Sequence, residues 1–306
     1  MSYEAENEAK ASFDDVYLAP TPHGYIAAMA ACGYEIGEQA RPYMVAATDL
    51  LRERNGDALP IQMLDVGCSF GIGSAFVKYN CSFDEMVAYF ATRAPREYHA
   101  ACEATRIWLN IAPPAQGVRS VGLDRSEPAI RFAVDAGLLD GGIARDFERP
   151  GARPTESERA WLRACSMLMS TGAIGYVTER TLEIVLRDLA RDVPTVFGPI
   201  AVITIMRMFD LAPIRAVFER RGFAFGSVPG VRLPQRRFQD AHEQREVLSI
   251  LHEKGIDTSE WEDRGKHYAD LVIAARPDRF EELMARMTAV HDEMQGDARR
   301  TGYIRR

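Results

Sequence analysis

Residues 61–73 read Ile-Gln-Met-Leu-Asp-Val-Gly-Cys-Ser-Phe-Gly-Ile-Gly, and their reading decides the fold. An apolar run ends at Asp65, and glycines at 67, 71 and 73 then break it into a loop. Ser-Ala-Phe-Val-Lys-Tyr follows and can open a helix. A strand, a tight glycine loop and a helix make a corner that cradles a nucleotide. Glycine lets the backbone turn sharply and keeps Cβ atoms out of the ligand's way. The spacing narrows the choice of ligand. A phosphate-cradling G-x-x-x-x-G-K-S/T loop needs a lysine that this stretch lacks. The order Gly67-x-x-x-Gly71-x-Gly73 also departs from the dinucleotide fingerprint G-x-G-x-x-G.

With an acid two places before its first glycine, Leu64–Gly73 resembles the first motif of class I S-adenosylmethionine (SAM) dependent methyltransferases, roughly D-x-G-x-G-x-G. Ser69 stands where the family has its middle glycine. The resemblance covers residues 61–277. It implies an α/β fold: a doubly wound, mostly parallel seven-stranded sheet with an antiparallel last strand. An N-terminal helical cap precedes it.

The rest of the chain is compatible with that reading. With 306 residues the chain can bury a full core. Its 47% hydrophobic and 26% charged content is that of an ordinary globular protein. A net charge of −7 argues against a general nucleic-acid binder. No apolar run is long enough to cross a bilayer, and the acidic, polar N-terminus is unlike a signal peptide, so a cytoplasmic protein is expected. Five cysteines, at 32, 68, 81, 102 and 165, show no metal spacing and read as reduced, mostly buried thiols.

Residues 1–12 are polar and expected to be loose. The pattern over 13–56 is helical, with a new helix expected at Arg41-Pro42-Tyr43 and a stop at Asn55-Gly56-Asp57. Strands are expected at 61–66, 118–124, 142–146, 166–170, 199–206, 223–228 and 269–275. Helices are expected after Ser126, over 178–191 and 211–221, and at the end over 278–294. The stretch between Gly73 and Val118 is too long for one crossover helix, so further helices are expected around 82–92 and 96–110. This gives a cap over 1–56, a core over 57–277 and a C-terminal helix and tail over 278–306. The core carries insertions at about 80–115 and 229–268.

Ligands of an open α/β sheet bind beyond the carboxyl ends of the strands, where strand order reverses. By resemblance, the loop of Asp65, Gly67, Cys68, Gly71 and Gly73 contacts the methionine part of SAM, and a carboxylate there suits its positive sulfonium and ammonium. Asp124, with Arg125 beside it, ends the second strand and can accept hydrogen bonds from ribose hydroxyls. The family uses an acid and an apolar neighbour after the third strand for adenine, which points to Asp146 and Phe147. Ser170 and Thr171 end the fourth strand and would lie beside the reacting methyl.

Acceptor chemistry has several candidates. Tyr17, Tyr25, Met29 and Tyr34 of the cap can close over SAM and acceptor, or simply pack the cap. Arg236 and Arg237 can clamp a carboxylate or phosphate, or pair with local acids. Tyr268 and His267 stand just before the last strand. Tyr176 can orient an acceptor, and Glu179, His242 or His267 can act as a base. Glu179 is equally a first-turn helix acid. The expected activity is methyl transfer from SAM, by in-line displacement, to an oxygen, carboxylate or nitrogen of a small-molecule acceptor, anionic ones included. No nucleic-acid, membrane or metal partner is expected, and the protein would be a monomer or homodimer. Two other readings stand beside it: a SAM-binding module without catalysis, and a nicotinamide-dependent oxidoreductase.

Overall fold

The computed structural model describes residues 6–7, 14–56, 60–79, 81–111, 117–189, 191 and 197–300. Apart from residues 6 and 7, the expected loose segment 1–12 lies outside the described residues, with Asp57 and the tail 301–306. The apolar runs of the sequence become strands: β1 (Ile61–Val66), β2 (Val118–Asp124), β3 (Gly141–Ala144), β4 (Met167–Thr171), β5 (Ile200–Met206), β6 (Ala224–Arg237) and β7 (Lys266–Ala275). They form one sheet in the order β3-β2-β1-β4-β5-β7-β6. β7 runs antiparallel to both β5 and β6, and the other pairs are parallel. Every residue of β5 is buried, as its unbroken apolar run requires in mid-sheet.

Helices precede and connect the strands: α1 (Asp14–Tyr17), α2 (His23–Ala31), α3 (Ile36–Asn55), α4 (Ile72–Tyr79), α5 (Phe83–Thr92), α6 (Tyr98–Leu109), α7 (Glu127–Asp135), α8 (Glu156–Ala164), α9 (Glu179–Asp188), α10 (Ala212–Arg220), α11 (Ala241–Glu253) and α12 (Pro277–Arg300). Side-chain caps start several of them. Ser82 and Glu85 form a capping box on α5, and Ser126 accepts from Ala129 N–H on α7.

Two boundaries depart from expectation. Pro42 lies inside α3 and does not open a new helix. The buried stripe Ile36, Ala40, Tyr43, Met44, Ala47, Leu50 and Leu51 continues past it, and that packing outweighs the one lost helical bond. The stretch 229–268 is not an insertion throughout. β6 extends to Arg237, and Arg236 and Arg237 pair with His267 and Lys266 of β7. Pro229-Gly230 and Pro234 hid the strand by breaking its alternation, and register shifts at Ser227/Arg232 and Pro234/Arg236 absorb the extra residues. Prolines are tolerated there because β6 is the sheet's last strand.

One face of the sheet, with Leu64, Val66 and Ile203, packs against α9 to α11. The other, with Met63, Met169 and Val202, packs under α3 and α12. α3 is thus part of the sheet's own core. A third, aromatic-rich cluster joins α2 to α4, α5, α6 and α7 through Tyr25, Phe70, Phe76, Phe90 and Phe132.

Candidate functional site

Sheet order reverses between β1 and β4, and a cavity of about 530 Å³ opens at the carboxyl ends of these strands. That volume suits a drug-sized ligand. The glycine loop forms its floor. Gly67 and Gly71 have φ of 71° and 73°, and Ser69, in place of the middle glycine, is held at 48°. A non-glycine residue in this left-handed region carries strain of roughly 1 kcal/mol or more. The Ser69 conformation is held by its N–H, which donates to Asp124 Oδ2 at 2.8 Å. Ser126 N–H donates to Asp124 Oδ1, also at 2.8 Å. Asp124 therefore ties the loop after β1 to the loop after β2 while still lining the cavity.

The three glycines do different work. A Cβ on Gly67 would lie 2.2 Å from Ala173 Cβ, so the loops after β1 and β4 meet there. A Cβ on Gly73 would press on Thr171 Oγ1 at 3.2 Å. Gly71 does not line the cavity; a Cβ there would meet Leu139 in the core at 2.9 Å. Cys68 lines the site, and burial pushes its thiol pKa well up, so it stays neutral.

Asp65 is 2% exposed, yet it lines the cavity. Ser74 Oγ–H donates to its Oδ2 at 2.9 Å. Burial dominates, and pushes the carboxyl pKa from 3.8 up to about 7. Asp146 and Phe147 follow β3 and line the far end. Asp146 accepts from Glu148 N–H at 3.0 Å and from Arg149 Nε at 3.1 Å. Thr171 lines the cavity, whereas the fully buried Ser170 instead donates to Val66 O at 2.8 Å. Tyr34, from the turn after α2, hydrogen-bonds to Thr171 beside Asp65. Tyr25 and Met29 of α2 line the same wall, and Arg125 lines the end near β2.

Of the expected acceptor residues outside the cap, Arg236 and Tyr176 line the cavity, Tyr176 half-exposed at its mouth. The other five do not line it. Arg236 is buried, with both Nη atoms on Glu243 at 2.6 and 3.0 Å. His267 sits one layer further back, its Nε2 3.2 Å from Glu243 Oε1 and its ring against Phe238. Arg237 turns away and donates to Ala31 O at 2.9 Å. Tyr268 packs edge-on against Trp261. His242 lies on the exposed side of α11, near Glu246. Glu179 is the exposed first residue of α9.

Tyr17, one of the cap aromatics expected to cover the site, faces the cavity, and so do Ser126, Glu148, Met206 and Gln235, which sequence reasoning missed as lining residues. Glu148 accepts from Thr178 N–H at 2.9 Å and from Thr178 Oγ1 at 2.6 Å, anchoring the start of α9. The N-terminal segment crosses nearby: Asn7 Nδ2 donates to Gly175 O at 2.7 Å, and Glu6 pairs with Lys254. Gln235 and Arg236 are consecutive yet line one cavity, which strand alternation alone forbids; the register shift at Pro234/Arg236 permits it.

No protein-family model matches the chain, and no curated protein matches its sequence. Solved structures do resemble it. A TehB-like SAM-dependent methyltransferase from Corynebacterium glutamicum matches at 13% identity and a TM-score of 0.38, over 88% of this chain and 97% of its own. The plantazolicin methyltransferase BamL, solved with a triazolic desmethylPZN analog and SAH, matches at 9% and 0.41, over 90% and 96%. A SAM-dependent methyltransferase from Geobacter sulfurreducens, solved with S-adenosyl-L-homocysteine, matches at 14% and 0.33, over 79% and 97%. Independently of these, the strand order and the antiparallel β7 are the Rossmann-like architecture expected from the glycine loop.

Proposed function

We propose that this chain is a SAM-dependent methyltransferase acting on a small molecule at oxygen or nitrogen. The observation that carries the proposal is Asp65, a buried carboxylate with a pKa of about 7 that faces the cavity beside the glycine loop. Such a group calls for a cation. SAM brings a sulfonium and an ammonium, whereas the pyrophosphate of a dinucleotide would be repelled. The residues fit the cofactor in other respects. Asp124 keeps lone pairs for ribose hydroxyls, and Asp146 with Phe147 offers an acceptor and an apolar face for adenine.

When bound, SAM would supply a methyl group already activated on sulfur. The chain's own task would be positioning, which can lower a barrier by roughly 7–11 kcal/mol. Tyr34 and Thr171 would bound the transfer point, and Tyr176 would orient the acceptor at the mouth. We propose residues 14–34 of the cap as the covering lid, because Tyr17, Tyr25, Met29 and Tyr34 line the cavity. Among the described residues no histidine lines the cavity, which favours an acceptor that needs no imidazole base.

Calorimetric titration with SAM, S-adenosylhomocysteine (SAH) and NAD tests the proposal. Binding of both adenosyl ligands and not of NAD is expected. Binding of NAD alone, or of none, would overturn it. If SAM binds but no SAH forms over a panel of acceptors, the chain is a binding module.

A further inference from the structure

We infer that Gln235 is the specificity-determining residue of the acceptor half of the cavity, and that the acceptor is an uncharged, apolar-bodied molecule carrying a hydroxyl or carboxamide. The inference rests on the methyl-transfer reading and goes beyond it to the substrate class.

Three observations carry it. Gln235 is 7% exposed and lines the cavity, and its Oε1 has no hydrogen-bond partner among the described residues. Leaving a buried amide oxygen unsatisfied is costly, so a ligand that completes it gains about tenfold in affinity over one that cannot. The amide also stands where the chain makes room for it. A Cβ on Gly172, the residue after β4, would lie 2.9 Å from Gln235 Nε2, and Gly172 has a φ of 73°. The register shift at Pro234/Arg236 turns Gln235 into the cavity next to Arg236.

The second observation is charge. Arg236 is the cation on this side, and both oxygens of the buried Glu243 already meet its guanidinium. Among the described residues Arg236 is thus already balanced by a buried carboxylate, which makes it a poor anchor for an anion. Of the two readings of Arg236, anion clamp or partner of a local acid, this favours the second. The third observation is the wall. Tyr17, Tyr25, Met29, Tyr34 and Met206 give aromatic and thioether surface to the cavity that the amide lines. An amide presents a donor and an acceptor side by side, which matches a hydroxyl or another carboxamide.

One scaffold tests the inference. SAH-saturated protein is titrated with 2-naphthol, 2-naphthamide, 2-naphthoate and naphthalene, in the parent and in Gln235→Leu and Gln235→Met. The parent should bind naphthol or naphthamide about tenfold tighter than naphthoate and naphthalene, the worth of one hydrogen bond. That preference should vanish in both variants while SAH affinity holds. Removing an orphaned polar group should leave both variants at least as heat-stable as the parent. Tightest binding of naphthoate, equal binding of naphthalene, binding of none of the four, or an unchanged preference in the variants would each overturn the inference. Failure of the parent to bind SAH is a separate result, and removes the methyl-transfer reading itself.

Discussion

Asp65 holds the strongest consequence at the scale of single residues. Its carboxyl keeps a proton up to a pH of about 7, whereas in the unfolded chain it would lose it near 3.8. The folded state therefore binds more protons between these values, and the stability of the ligand-free protein falls as pH rises from about 4 to about 7. A cationic ligand must displace that proton below pH 7. SAM affinity should rise up to tenfold per pH unit toward pH 7 and level off above it, as calorimetry across pH 5.5–8.5 would record. Asp65→Asn should flatten the profile, weaken binding at pH 8, and stabilise the free protein there by roughly 2–4 kcal/mol in denaturant titration. Gly67→Val acts differently. A side chain there strikes Ala173 and Val177 and must adopt a φ of 71°. It should push the loops after β1 and β4 apart and lower SAH affinity by at least ~100-fold, with the circular dichroism of the fold retained.

At the scale of elements, α3 and β6 show packing overriding local signals. Pro42 breaks α3 only in sequence, since the buried stripe runs through it. Pro42→Ala should restore one helical bond and raise stability by about 1–2 kcal/mol, read from the denaturation midpoint. β6 is interrupted by two prolines and a glycine, yet its pairing with β7 persists on either side. The bulges there are what bring Gln235 and Arg236 to one cavity. The start of α9 depends on Glu148, which reaches from the loop after β3 to Thr178 and Thr181. The loop after β3 and the helix after β4 are thereby joined across the site.

At the scale of the whole molecule, the cavity is closed by chain that is remote in sequence. Ser126 Oγ donates to Tyr17 O at 2.5 Å, Asn7 holds Gly175 O, and Glu6 pairs with Lys254 while 2% exposed. Replacing that pair, as Glu6→Gln with Lys254→Met, should loosen the strap and raise the SAH dissociation rate about fivefold in stopped-flow fluorescence, with the melting temperature little changed. The linear order of residues was enough for the strand, glycine loop and helix of 61–79, for the sheet class, and for the acids at 65, 124 and 146. Those features are local: apolar period, glycine position and strand end lie within a few neighbours of one another. It was not enough for Gln235, for the choice of Glu243 among the local acids as the partner of Arg236, or for the retreat of His267 behind them. These depend on a shifted strand register and on contacts such as Arg237 to Ala31, which are 206 residues apart. Glu243 is only seven residues from Arg236, but the two meet because β6 ends and α11 turns back over it, and no local pattern shows which of the neighbouring acids that turn will present.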